Sequence, residues 1–176
     1  MLTIRPATPT DVPTILRFIR ELALYEREPD AVIATEADLL RDGFGSQPRF
    51  TCLIAEFGGE PAAFALYFTS YSTWLGHHGI RLEDLYVTPE HRRKGIGKAL
   101  LAKLASIAVE QGCPRLEWDV LAWNQPAIDV YESIGATTQT EWRIMRLAGE
   151  ALQTLASQST IHYASATAAQ PPRPPR

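Results

Sequence analysis

Cysteine is scarce: the 176 residues hold two, Cys52 inside an apolar run and Cys113 beside Pro114. Two thiols make no disulfide framework, and their apolar settings predict reduced, structural cysteines in a cytoplasmic protein. Long hydrophobic runs are absent too. No stretch reaches the roughly 18 apolar residues of a membrane span, and Met1 to Pro6 lacks the basic and apolar regions of a signal peptide. No membrane partner is expected. Charge of one sign is also missing, because the net charge is only −3. Nucleic acid, which calls for a basic stripe, is therefore not an expected partner. The four histidines, His77 and His78 among them, stand at no metal-ligand spacing, so no metal is expected.

What is present is an ordinary globular composition, 45% hydrophobic and 21% charged, at a single-domain length. Leu2 to Arg5 reads as a strand. Thr8, Pro9 and Asp11 open a helix carrying Val12, Ile15, Ile19 and Leu22, with Pro13 delaying its regular part. Thr35 and Asp38 begin a second helix that Gly43 is expected to end. Phe50 to Phe57 and Pro61 to Tyr71 read as a hairpin about Gly58-Gly59. Ile80 to Val87 reads as a strand with Leu82, Leu85 and Val87 inward, and its broken alternation predicts a bulge near Glu83-Asp84. The strongest helix carries Ile96, Leu100, Leu101, Leu104 and Ile107 and closes at Gly112. Leu116 to Leu121 reads as a strand, and Asn124 is expected to cap a helix bearing Ile128, Tyr131 and Ile134. Trp142 to Leu147 is expected to complete the sheet, with a short helix around Glu150 to Leu155. These elements make residues 1–156 one α/β domain. From Ser157 the composition turns to Ser, Thr, Ala and Gln and ends in Pro-Arg repeats, so residues 157–176 are predicted to be a disordered tail.

The chemistry concentrates in Leu85-Tyr86-Val87 and the run Arg92-Arg93-Lys94-Gly95-Ile96-Gly97-Lys98, where a strand feeds a basic, glycine-punctuated turn and then a helix. The first amides of that helix have no internal acceptor, its dipole is positive there, and glycine lets an anion approach the backbone. The arrangement suits a pyrophosphate. A P-loop is disfavoured, since Arg92 replaces the first glycine and Ala99 the hydroxyl residue, and the dinucleotide pattern fails at Leu100.

The spacing Arg92-x-x-Gly95-x-Gly97 resembles the coenzyme A loop of the GNAT N-acetyltransferase superfamily. Ile4-Arg5-Pro6-Ala7-Thr8, Glu21 to Glu26, Asp42-Gly43-Phe44-Gly45, Leu82 to Val87 and Trp123 to Ile128 resemble, in order, the diamine (spermidine/spermine) N-acetyltransferases. The resemblance implies the α/β GNAT fold, a mixed central sheet with helices on both faces, acetyl-CoA as cosubstrate and a homodimer. It implies that Leu85, Tyr86 and Val87 hold the pantetheine arm, and that Arg92, Arg93, Lys94, Gly95, Ile96, Gly97 and Lys98 hold the pyrophosphate. Asn124, Gln125, Pro126 and Ala127 match a further coenzyme segment. Tyr131 matches the catalytic tyrosine, Glu83 an acidic residue at the amine site, and Tyr25 with Glu26 substrate contacts.

The residue chemistry agrees with that assignment. An alkyl ammonium, with a pKa near ~10.4, must lose a proton before it attacks. Glu83 is the candidate relay and Tyr131 the candidate acid for the leaving thiolate. An amide of Tyr86 or Val87 is the candidate donor to the thioester oxygen. Direct attack in a ternary complex follows. Asp84, Glu117 and Asp119, with Trp118, extend the candidate amine-binding surface. Ser72-Thr73 stands where diamine-acetylating relatives carry an acid, and Thr137 to Trp142 is short. The amine is therefore open between a polyamine, a thialysine-like amino acid and, last, a protein amine. The alternative class is a non-catalytic acetyl-CoA sensor.

Overall fold

A computed structural model describes residues 1–159. The chain divides into two compact units, one spanning residues 1–136 and the other beginning at Thr137. In the first, β1 (Leu2–Pro6), β2 (Thr51–Phe57), β3 (Glu60–Ser72), β4 (His77–Val87) and β5 (Leu116–Glu117) form one sheet in sequence order. All pairings are antiparallel except β4 with β5, which is parallel. α1 (Val12–Tyr25) and α2 (Glu36–Phe44) lie between β1 and β2, α3 (Ile96–Glu110) joins β4 to β5, and α4 (Gln125–Ser133) follows β5.

The central strands are buried on both faces, so side chains alternate between two cores. Cys52, Ile54, Phe64, Leu66 and Tyr86 pack with Ile15, Leu16 and Phe18 of α1 and Leu39 of α2. Phe18 stacks on Phe64 with ring centroids 5.7 Å apart. The intervening Leu53, Ala55, Ala63, Ala65 and Leu82 face α3, which contributes Ile96, Leu100, Leu101 and Leu104. Alanine on that sheet face leaves room for the helix to approach closely. The helices thus cover both faces, as expected.

Asp11 does more than face a helix dipole. It accepts two 2.8 Å bonds from Arg5, with further bonds from the Thr8 amide and hydroxyl. Arg5 also donates to Glu56 at 2.8 Å, so β1, β2 and the start of α1 are tied at one point. A turn of 3-10 helix at Pro9–Asp11 precedes α1, the delay that Pro13 predicts.

Several expectations are corrected. α2 runs through Gly43 to Phe44, and Gly45 closes it. β5 stops at Glu117 rather than Leu121, because it pairs only with Ile80 and Arg81 of β4. Just beyond Arg81, β4 bulges: Leu82 and Asp84 pair with β3 while Glu83 has no partner, and a bulge bends a strand out of register with its other neighbour. In β4 it is Ile80, Leu82 and Tyr86 that are fully buried, with Leu85 and Val87 only partly so. Asn124 does not cap α4 with its side chain, which is engaged elsewhere. In the second unit, 142–147 forms no strand, and Trp142, Ile144 and Met145 are exposed. A strand exists through its ladder partner, which an apolar pattern does not supply. α5 (Gly149–Ser157) extends the expected short helix through the boundary drawn at Ser157. Most of the expected tail, residues 160–176, lies outside the described residues.

Candidate active site

The bulge and the short β5 together create the site. Past Arg81, β4 pairs with β3 alone, so one edge of Leu85, Tyr86 and Val87 meets no neighbouring strand among the described residues. Unpaired edge amides and carbonyls are ready to bind an extended, amide-containing chain.

At the end of β4 the backbone turns through Arg93 (φ 61) and Gly95 (φ 79). Gly95 is the residue before α3, and no side chain caps the helix there. The first helical bond runs from the Ala99 amide to the Gly95 carbonyl, leaving the amides of Ile96, Gly97 and Lys98 directed out of the helix start. A β-carbon on Gly95 would meet nothing within 4 Å, so the mouth is open to an anion. Arg93, Lys94 and Lys98 are exposed around it. Lys94 stands 5.0 Å from the Phe57 ring centroid.

The Arg92 side chain leans on β4 and the end of α1. Its Nε donates to the Val87 carbonyl at 3.1 Å, and its guanidinium lies 4.7 Å from the Tyr25 ring centroid and 5.7 Å from that of Tyr86. Tyr25, the last residue of α1, donates from its hydroxyl to Asn124 Oδ1 at 2.8 Å. This is where the Asn124 side chain is engaged. Gln125, Pro126 and Ala127 follow as the first turn of α4, with Gln125 bonded to Asp129.

Beyond the strand edge stand the acids. Burial pushes the Asp84 carboxyl up to about 6, with the charges of Glu83 and Glu26 adding to the effect. Burial also raises Glu26. Tyr131 packs its ring edge-on against Trp118 with centroids 5.0 Å apart. Burial first, then Glu26 and Tyr25, push its hydroxyl above the usual tyrosine range. Tyr25, Glu26, Asp84 and Tyr131 therefore share one electrostatic neighbourhood, with Glu83 exposed on the bulge. Glu117 and Asp119 are occupied differently: Glu117 pairs with Arg115 at 2.9 Å and Asp119 with Arg81.

One residue escapes the sequence reading. Arg27 has φ 68, and its amide and that of Glu28 bond back to the Leu24 and Ala23 carbonyls. This is a Schellman ending of α1, in which the left-handed position usually takes glycine. A side chain there costs on the order of 1 kcal/mol. The Arg27 guanidinium lies 4.5 Å from the Trp123 ring centroid, and Trp123 packs against Tyr25 at 5.8 Å. Arginine where α1 calls for glycine is the signal that could have exposed it.

The family model described as the acetyltransferase (GNAT) family matches residues 15–136. The chain belongs to the GNAT acetyltransferase family. A thialysine N-epsilon-acetyltransferase of Bos taurus is 45% identical across 88% of this chain and 97% of its own. A human spermidine/spermine N(1)-acetyltransferase-like protein is 40% identical across 87% of this chain, which spans 23% of that longer protein. An integron cassette protein from the mobile metagenome of V. cholerae superposes with a TM-score of 0.74 at 28% identity, covering 88% of this chain and 97% of its own. GNAT acetyltransferases use acetyl-CoA, and two features of this chain fit that molecule. The open, uncapped start of α3 fits a pyrophosphate, and the parted edge of β4 fits an amide-bearing arm.

Proposed function

We propose that this protein transfers the acetyl group of acetyl-CoA to a primary amine of a small molecule, by direct attack of the amine. The observation that carries the reading is the grouping of Glu26, Glu83 and Asp84 with Tyr131 beside the parted edge of β4. Carboxylates draw in an ammonium, and Asp84, ionised above about pH 6, is placed to take its proton. Glu83, exposed on the bulge, passes the proton towards water. The edge amides of Tyr86 and Val87 offer donors to the thioester oxygen as negative charge develops there. Tyr131, held protonated by its surroundings, donates to the departing thiolate. Arg93, Lys94 and Lys98, with the amides at Ile96 to Lys98, hold the pyrophosphate. Cys52 is no acyl carrier: burial pushes its thiol far above the usual range.

Acetyl-CoA supplies an activated acyl carbon, and every other part of the task falls to positioning and proton handling. Coenzyme A release with a panel of spermidine, spermine, putrescine, thialysine, lysine and a lysine peptide tests this. Turnover of a free small amine above the hydrolysis rate is expected. Tyr131→Phe is expected to lower kcat by roughly 10²-fold or more while acetyl-CoA still binds. Full kcat in that variant across the pH range would remove Tyr131 as the acid.

The proposal extends to a homodimer in the cytoplasm. Both cysteines are buried and free, which suits a reducing compartment. Light scattering during gel filtration is expected to return twice the 19.5 kDa of one chain.

A further inference from the structure

We propose that Trp118 sets the length of the acyl group that this enzyme accepts, its indole closing the space beyond an acetyl group. This rests on the transferase reading above and adds what holds the donor to acetyl rather than a longer acyl thioester.

Direction is the first observation. The cradle at the start of α3 follows closely on Val87, and the parted edge runs back from Val87 to Leu85. An arm anchored by its pyrophosphate at the cradle, and lying along that edge, aims its far end at the bulge and at the place where β4 and β5 come together. The last rungs there are Ile80 with Leu116 and Arg81 with Glu117. Trp118 is the next residue after β5, so it stands where the two strands begin to part.

The face on which Trp118 lies is the second observation. Leu116 and Trp118, two positions apart, both pack against the core that α3 covers, as do Leu85, Val87 and Tyr131. Asp84 belongs to the opposite face, since its ladder partner Leu66 lies in the core under α1. The gap between the strands therefore has an acidic side, where Asp84 feels the charge of Glu26, and an apolar side walled by Leu82, Leu85, Trp118 and Tyr131. An ammonium suits the first and a hydrocarbon chain the second. With the sulfur beside the Tyr131 hydroxyl, the acyl chain it carries comes up against the ring that packs on Tyr131.

Support for that ring is the third observation. Trp118 is half-buried and meets Tyr131 edge-on with centroids 5.0 Å apart. Its neighbours in sequence are tied down on either side, Glu117 by Arg115 and Asp119 by Arg81 of β4. A wall fixed in this way does not retreat before a longer chain, and discrimination then comes from a clash rather than from an added attraction.

The experiment measures binding by calorimetry, with no amine present, of free coenzyme A, acetyl-CoA, butyryl-CoA and hexanoyl-CoA. The proteins are the wild type, Trp118→Phe and Trp118→Ala. The wild type is expected to bind hexanoyl-CoA about 10-fold or more weakly than acetyl-CoA. Trp118→Ala should bring the two to within about 2-fold of each other, because the cavity it leaves takes up the chain. Its affinity for free coenzyme A should stay at the wild-type value, since the cradle lies at the other end of the gap. Trp118→Phe keeps a ring against Tyr131 and should admit butyryl-CoA while still rejecting hexanoyl-CoA; if Trp118→Ala does not fold, this variant decides. Equal affinity of the wild type for acetyl-CoA and hexanoyl-CoA overturns the proposal and leaves the transferase standing. So does a folded variant whose preference among chain lengths matches the wild type's. Failure of the wild type to bind either coenzyme A or acetyl-CoA overturns both.

Discussion

Asp84 is held in its ionised form at a cost to the fold. Its carboxyl titrates near 6 in the folded chain, above the ordinary 3.8, chiefly through burial. A carboxyl raised in this way stabilises the fold fully below its unfolded value, and that contribution is lost as pH climbs from there through about 6. Asp84→Asn imitates the neutral form and escapes the loss. At pH 8 the variant is expected to be more stable by about 3 kcal/mol in urea unfolding, with the difference fading towards pH 4. Its kcat/KM should fall sharply, while that of the wild type should rise through about pH 6. Equal stability of the two proteins at pH 8 would show that Asp84 is not strained. The sequence announced a bulge at Glu83-Asp84, but not which carboxylate turns inward. A shift of one residue exchanges the faces of a strand, and only the register Leu66 to Asp84 decides it. Arg92 was equally hard to read. Its place in the glycine motif did not announce that its guanidinium would lie near the rings of Tyr25 and Tyr86.

The glycines before and within α3 carry different duties. Gly95 needs its left-handed backbone, with φ 79, whereas a β-carbon on Gly97 would lie an ordinary 3.7 Å from Val87 Cγ2. Gly95→Ala is expected to lose about 1 kcal/mol of stability, and Gly97→Ala to gain up to about 1 kcal/mol from helix propensity. Denaturant titration measures both. Calorimetry with acetyl-CoA should show weaker binding for Gly95→Ala, because the turn that aims the helix amides is altered. Unchanged affinity in a folded Gly95→Ala would count against the cradle. This helix was the most legible element, since its apolar period, opening turn and closing Gly112 all lie within one short stretch. The shortened β5 and the coil at 142–147 were the least legible. Their residues carry strand-like patterns, but strand pairing depends on what the rest of the chain places alongside.

For the molecule as a whole, two-sided burial of β2 and β3 made the layered architecture readable, because continuous apolar runs demand cover on both faces. The junction between the ends of α1 and α4 was not readable. No residue of α4 is fully buried, and one of the contacts that tie it down is the Tyr25 hydroxyl on Asn124, 99 positions along the chain. Beyond β5, α4 is held by that hydrogen bond and a few ring contacts, each of modest net worth. This region is therefore expected to open on its own before the two cores yield. Heated samples should lose acetyl transfer several degrees below the midpoint seen by circular dichroism, and Tyr25→Phe should widen that gap. Coincident curves for both proteins would mean that the site and cores melt as one. Where the curves separate, the working temperature of the enzyme is set by the junction of α1 and α4, and heat tolerance could be raised there without touching either core.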